Sequence, residues 1–113
     1  MTTKKYLFVY RTPANAEQRA PSPAEMQAVL AEWHKWKAAF PQVLDAGDGL
    51  LPTGRRVTPK SVTDGPTVES KELVSGYSII GASSYDEAVK VAQACPVLFA
   101  PGSSVEVREL AGY

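Results

Sequence analysis

Five consecutive apolar residues, Tyr6, Leu7, Phe8, Val9 and Tyr10, restrict the fold of this chain more than any other feature. A run this rich in aromatic and branched side chains reads as a strand covered on both faces. Side chains alternate along a strand, so Tyr6, Phe8 and Tyr10 share one face and Leu7 and Val9 the other. Each face then needs its own cover. The chain's 113 residues predict a single domain, residues 1–113, with one core. With 44% hydrophobic residues, intrinsic disorder is not expected. Twelve basic and twelve acidic side chains cancel, which removes the general attraction for nucleic acid or anionic membranes. The single cysteine excludes an internal disulfide and fits a reducing cytoplasm. No apolar run approaches the ~20 residues of a membrane span, and the N-terminus lacks a signal-peptide core. The expectation is a cytoplasmic domain with no membrane partner and no direct nucleic-acid partner.

The apolar run predicts a first strand over residues 4–10, followed by a loop over 11–21 that carries two prolines. Ser22, Pro23 and Glu25 form a helix start, with Ser22 as N-cap and Glu25 completing a capping box. Met26, Val29, Leu30, Trp33, Trp36, Lys37 and Phe40 follow at spacings of three and four, predicting one apolar stripe that ends before Pro41. Residues 42–51 predict a short strand bent or bulged at its glycines. Residues 55–63 resemble an exposed edge strand weakened by Pro59, and residues 62–66 are turn chemistry opening a loop to about Lys71. Residues 72–82 predict a strand. Ser84 and Glu87 make a second capping box for a helix whose stripe is Ala88, Val89, Val91, Ala92 and Cys95 and which Pro96 closes. Residues 103–110 alternate Val105 and Val107 with Glu106 and Arg108, the period of a final strand.

Two helices separated by paired strands, with a strand at each end, match the split βαβ arrangement. Right-handed crossovers place both helices on one face of a largely antiparallel sheet. The other face keeps apolar side chains that nothing in one chain covers. A second copy packed face to face would cover them, so the expected state is a homodimer.

The segment Asp64-Gly65-Pro66-Thr67-Val68-Glu69-Ser70-Lys71-Glu72 resembles the signature Asp-Gly-Pro-Phe-Ala-Glu-Thr-Lys-Glu of the DGPF branch of the YCII-related family, with six of nine residues identical. Gly49-Leu50, Gly76-Tyr77, Asp86-Glu87-Ala88, Cys95-Pro96 and Val105-Glu106-Val107-Arg108 also look like that family. The resemblance covers almost the whole chain; Thr67 departs from it where the motif carries Phe. It implies an α+β fold: a ferredoxin-like subunit with two helices on one face of an antiparallel sheet, paired into a dimeric α+β barrel. It also implies that a helix histidine and a loop aspartate meet in a cleft. Some members look like companions of alternative sigma factors, which implies a regulatory use for a similar scaffold.

His34 is the only histidine, so any imidazole chemistry near neutral pH depends on it. It stands at the border of the first helix's stripe, either facing a cleft or satisfied by backbone and solvent. Asp64 precedes Gly-Pro, where a carboxylate accepts a backbone N–H two residues on; one fixed in that way can also orient an imidazole. His34 as base with Asp64 as its orienting partner is the catalytic expectation. Glu69, Lys71 and Glu72 form either a polar rim around a ligand or a solvated loop. Tyr77 joins them as a candidate ligand contact. Glu106 and Arg108 point into a dimer interface if Val105 and Val107 meet the helices, and there a ligand carboxylate or a cross-dimer pair would partner them. A solvent-facing edge strand is the other possibility. Cys95 reads as buried and inert. No nucleophile motif, metal-ligand spacing or phosphate loop is present, so no metal or cofactor is expected. Arg55, Arg56 and Lys60 cluster without aromatics, which does not make a nucleic-acid surface. The functional expectation is a dimeric domain that binds a small metabolite, with His34–Asp64 acid–base chemistry. Its alternative is a noncatalytic regulatory protein.

Overall fold

The computed structural model of the chain describes residues 3–13, 22–65 and 72–112. In chain order they form β1 (Lys4–Pro13), α1 (Pro23–Ala39), β2 (Val43–Gly49), β3 (Arg55–Val57), β4 (Val62–Asp64), β5 (Glu72–Ala82), α2 (Tyr85–Gln93), a short 3-10 helix (Pro96–Phe99) and β6 (Ser104–Glu109). The main sheet runs β2-β5-β1-β6 with every neighbouring pair antiparallel. Strands β3 and β4 pair only with each other.

β1 lies centrally because it can hydrogen-bond on both edges and bury side chains on both faces. It continues to Pro13, three residues past the expected end, because Arg11, Thr12 and Pro13 pair with Val74, Leu73 and Glu72 of β5. Their own sequence carries no strand pattern; the partner strand recruits them. The rest of the expected loop, residues 14–21, lies outside the described residues. β5 occupies the predicted span.

Tyr6, Phe8 and Tyr10 are almost completely buried on the helix side of the sheet, together with Ile80, Ala82 and Val43. Trp36 covers them from α1, and Ala88, Val91 and Ala92 cover them from α2, so both helices lie on one face as expected. Val105 and Val107 pack against the same core. The Trp36 indole N–H donates to the Val91 carbonyl at 3.0 Å, which ties α1 to α2 while satisfying a buried donor. Tyr10 and Ser78 bring a hydroxyl each into this core. Ser78 Oγ donates to the Ala46 carbonyl at 2.6 Å and accepts from Tyr10 Oη. Burial pushes the Tyr10 phenol far above its ordinary range and raises the Cys95 thiol beside it, so both stay protonated.

Both helix starts follow local sequence. Ser22 Oγ accepts from the Glu25 amide and Ser84 Oγ from the Glu87 amide, each at 3.2 Å. Glu87 reaches back one residue further than a capping box requires, accepting from Ser83 N–H at 2.8 Å and Ser83 Oγ at 2.6 Å. The bend expected in β2 falls at Gly47, whose φ of +71° and close approach to the Tyr77 carbonyl leave no room for a side chain.

Two expectations fail for lack of a packing partner. The stripe of α1 is buried only at Trp36; Met26, Val29 and Leu30 are exposed, while Trp33 and Phe40 are half-buried. The periodicity is real, but the helix meets the core mainly through its C-terminal half, at Trp33 and Trp36. Residues 55–63 are not one edge strand of the main sheet. They fold back at Pro59 into the β3–β4 hairpin, with Val62 to Asp64 in strand rather than turn.

Trp36, not Trp33, is the anchor of α1. Trp36→Ala is expected to cost about 3–5 kcal/mol in urea denaturation. Trp33→Ala, which removes a ring resting on Tyr10 and Trp36, is expected to cost about half as much. Equal losses would mean that α1 is rotated.

Candidate functional site

The sheet has a second face, opposite the helices. Strand register places Leu7 between Ile79 and Arg108, and Val9 between Tyr77 and Glu106. Directly opposed residues of antiparallel strands point the same way. Leu7, Val9, Tyr77 and Ile79 therefore form a continuous, half-buried apolar floor across β1 and β5. Glu106 and Arg108 stand beside it on β6, because Val105 and Val107 turn toward the helices.

A third charged residue joins them. Arg11 has the parity of Leu7 and Val9, and its Nε donates to Glu106 Oε2 at 3.1 Å. Arg108 Nη1 donates to Glu106 Oε1 at 3.3 Å. Each carboxylate oxygen has its own guanidinium, and the trio keeps one net positive charge. Hydrogen bonds from Arg11 and then Arg108 hold the Glu106 carboxyl below the usual carboxylate range, against a smaller opposing effect of desolvation. At the far edge, Asp45 and Asp48 are turned onto their own strand, accepting from the Gly47 and Gly49 amides at 2.8 Å each. The face is thus polarised from a cationic β6 side toward an acidic β2 edge.

Three of the expected ligand contacts, Tyr77, Glu106 and Arg108, share this face. The other two, Glu69 and Lys71, lie outside the described residues. Arg11 was missed because the strand was expected to stop at Tyr10; its parity with Leu7 and Val9 was the available signal. His34 and Asp64 stand elsewhere. His34 is exposed on α1, and Asp64 is exposed at the end of β4, where its Oδ1 lies 3.4 Å from Arg55 Nε. Among the described residues no hydrogen bond or ion pair joins His34 to Asp64. The expected tight turn after Asp64 reaches Gly65, with φ +77°, and its remainder lies beyond the described residues. Cys95 is buried and its thiol is held neutral.

A four-stranded antiparallel sheet in this order, with both described helices on one face, defines the ferredoxin-like class of α+β domain. Within that class the match is specific: the family model described as the YCII-related domain covers residues 4–111, and the chain belongs to this family. No curated protein matches the chain. No helix among the described residues is long and apolar enough to cross a membrane.

Because its carboxyl is held low in the folded state, Glu106 contributes stability that is present above its unfolded-state value and is lost as pH falls through the depressed folded value. Glu106→Gln is expected to flatten the acid side of the stability–pH curve. Arg11→Gln or Arg108→Gln should each raise the Glu106 midpoint in a carboxyl carbon NMR titration. An unmoved midpoint in both variants would show that the trio is not formed in solution.

Proposed function

We propose that the protein is a small-molecule-binding homodimer of the DGPF branch, in which two open sheet faces meet to form a dimeric α+β barrel around the ligand. One observation carries this reading: an apolar floor, Leu7, Val9, Tyr77 and Ile79, stands directly beside the converging charges of Arg11, Glu106 and Arg108. Binding sites for small molecules combine largely apolar walls with a few placed polar groups. A sheet face of this composition also favours a cover, since large exposed apolar patches are uncommon on monomers.

The acid–base part of the proposal rests on His34 and Asp64, the sole imidazole and the first residue of the family-like motif. Within one chain Asp64 pairs with Arg55, and the proposed dimer is where the two residues would meet.

Sedimentation at micromolar concentration should give twice the 12.2 kDa chain mass. Val9→Arg should give a folded monomer, because it places a charge in the middle of the apolar floor. A parent protein that sediments as a monomer would remove the barrel.

For the acid–base pair, the imidazole resonances of His34 are compared by NMR at one pH in the parent and in Asp64→Asn. A change in the His34 imidazole chemical shifts on losing the carboxylate supports the pairing, and coincident shifts in the parent and variant dimers sink it.

A further inference from the structure

The charge pattern of the open face identifies the kind of ligand, on the reading above that this face is the binding site. We propose that the ligand is a small monocarboxylic acid with an apolar body, its carboxylate held by Arg11 and Arg108 and its body lying across Val9 toward Tyr77.

Glu106 uses one nitrogen of each arginine: Nε of Arg11 and Nη1 of Arg108. A guanidinium carries five N–H donors, so both retain donors of the geometry that carboxylates accept. The trio's single excess positive charge matches one carboxylate. Lys5, which shares the parity of Leu7 and Val9 on β1, adds to the same sign. Asp45 and Asp48 mark the opposite edge as the wrong end for an anion, which orients the ligand across the strands rather than along them. Strands lie about 4.8 Å apart, so two strand spacings separate the Glu106 row from Tyr77 by about 10 Å. A phenyl or short alkyl body attached to a carboxylate fits that span, and the floor beneath it is apolar throughout. A neutral ligand would leave the spare donors of two desolvated arginines unmatched once a second protomer closed the face.

Glu106 is then a competitor as well as a positioner. It holds both guanidinia over the floor, but it also neutralises half their charge. This predicts opposite signs for substitutions within one cluster. A merely structural cluster would not produce them.

The probes are 4-phenylbutanoate and its uncharged amide, titrated into the native protein by calorimetry and by amide NMR. The acid should bind at least about tenfold more tightly than the amide, with shifts at Val9, Tyr77 and Arg108. Arg11→Gln and Arg108→Gln should each weaken the acid about tenfold and leave the amide unchanged, whereas Glu106→Gln should tighten the acid several-fold. Thermal unfolding of each variant confirms that it is folded. Equal affinity for acid and amide, with shifts on this face, would overturn the anion while leaving the site. Weaker binding of the acid in Glu106→Gln would overturn the competitor role. Binding of neither probe, or shifts confined to another surface, would overturn both the anion and the face.

Discussion

The fold depends on the three aromatic rings that β1 places on a single face. Tyr6, Phe8 and Tyr10 fill the space between the sheet and the two helices, and both helices set an aromatic ring against them. Tyr85 of α2 stacks edge-on against Tyr6, while Trp36 and Trp33 of α1 reach Phe8 and Tyr10. Burying a ring of this size is worth about 2–3 kcal/mol from transfer alone, so the three together exceed what any other strand supplies. Tyr10 also brings a hydroxyl into the core, and the core accommodates it by passing the hydrogen bond through Ser78 to Ala46. That relay crosses from β1 through β5 to β2, linking the sheet's centre to its bulged edge.

The opposite face follows from the same strand. A side-chain period of two makes it impossible to put Tyr6, Phe8 and Tyr10 inward without putting Leu7, Val9 and Arg11 outward. The inward set builds a domain, and the outward set builds a surface. Arg11 belongs to that surface only because β1 runs past Tyr10, and it does so because β5 offers three more residues to pair with. The charged trio therefore depends on strand pairing between segments more than sixty residues apart, and not on any local motif.

Much of the architecture was legible locally. Both helix starts were marked by Ser22 and Ser84, whose hydroxyls cap the amides three residues on as their spacing predicts. The glycines of residues 47 and 49 announced the bulge in β2, and the alternation around Val105 and Val107 assigned the faces of β6 correctly. Pro59 was read as weakening a strand, whereas it turns a hairpin, because an isolated proline does not say whether the chain resumes on the same line. The stripe of α1 was legible as a stripe, but its burial was not. Periodicity reports that a helix has an apolar face without saying what lies against it. For the same reason Trp33 read as the centre of the stripe, although Trp36 is the buried ring and the one whose N–H donates to the Val91 carbonyl.

The sequence alone determined the order of the main-sheet strands and the two α-helices, the caps, the two-sided character of β1 and the family, because these rest on spacings of two to four residues or on a contiguous motif. The tertiary structure decided which face of each element is covered. It placed Tyr77, Glu106 and Arg108 on one surface with Arg11, and it left His34 and Asp64 both exposed, with Asp64 beside Arg55. Those outcomes depend on register between distant strands and on the reach of one helix over a sheet. Short-range patterning cannot encode them, since the same alternation is compatible with several registers and only simultaneous packing of all the elements selects one.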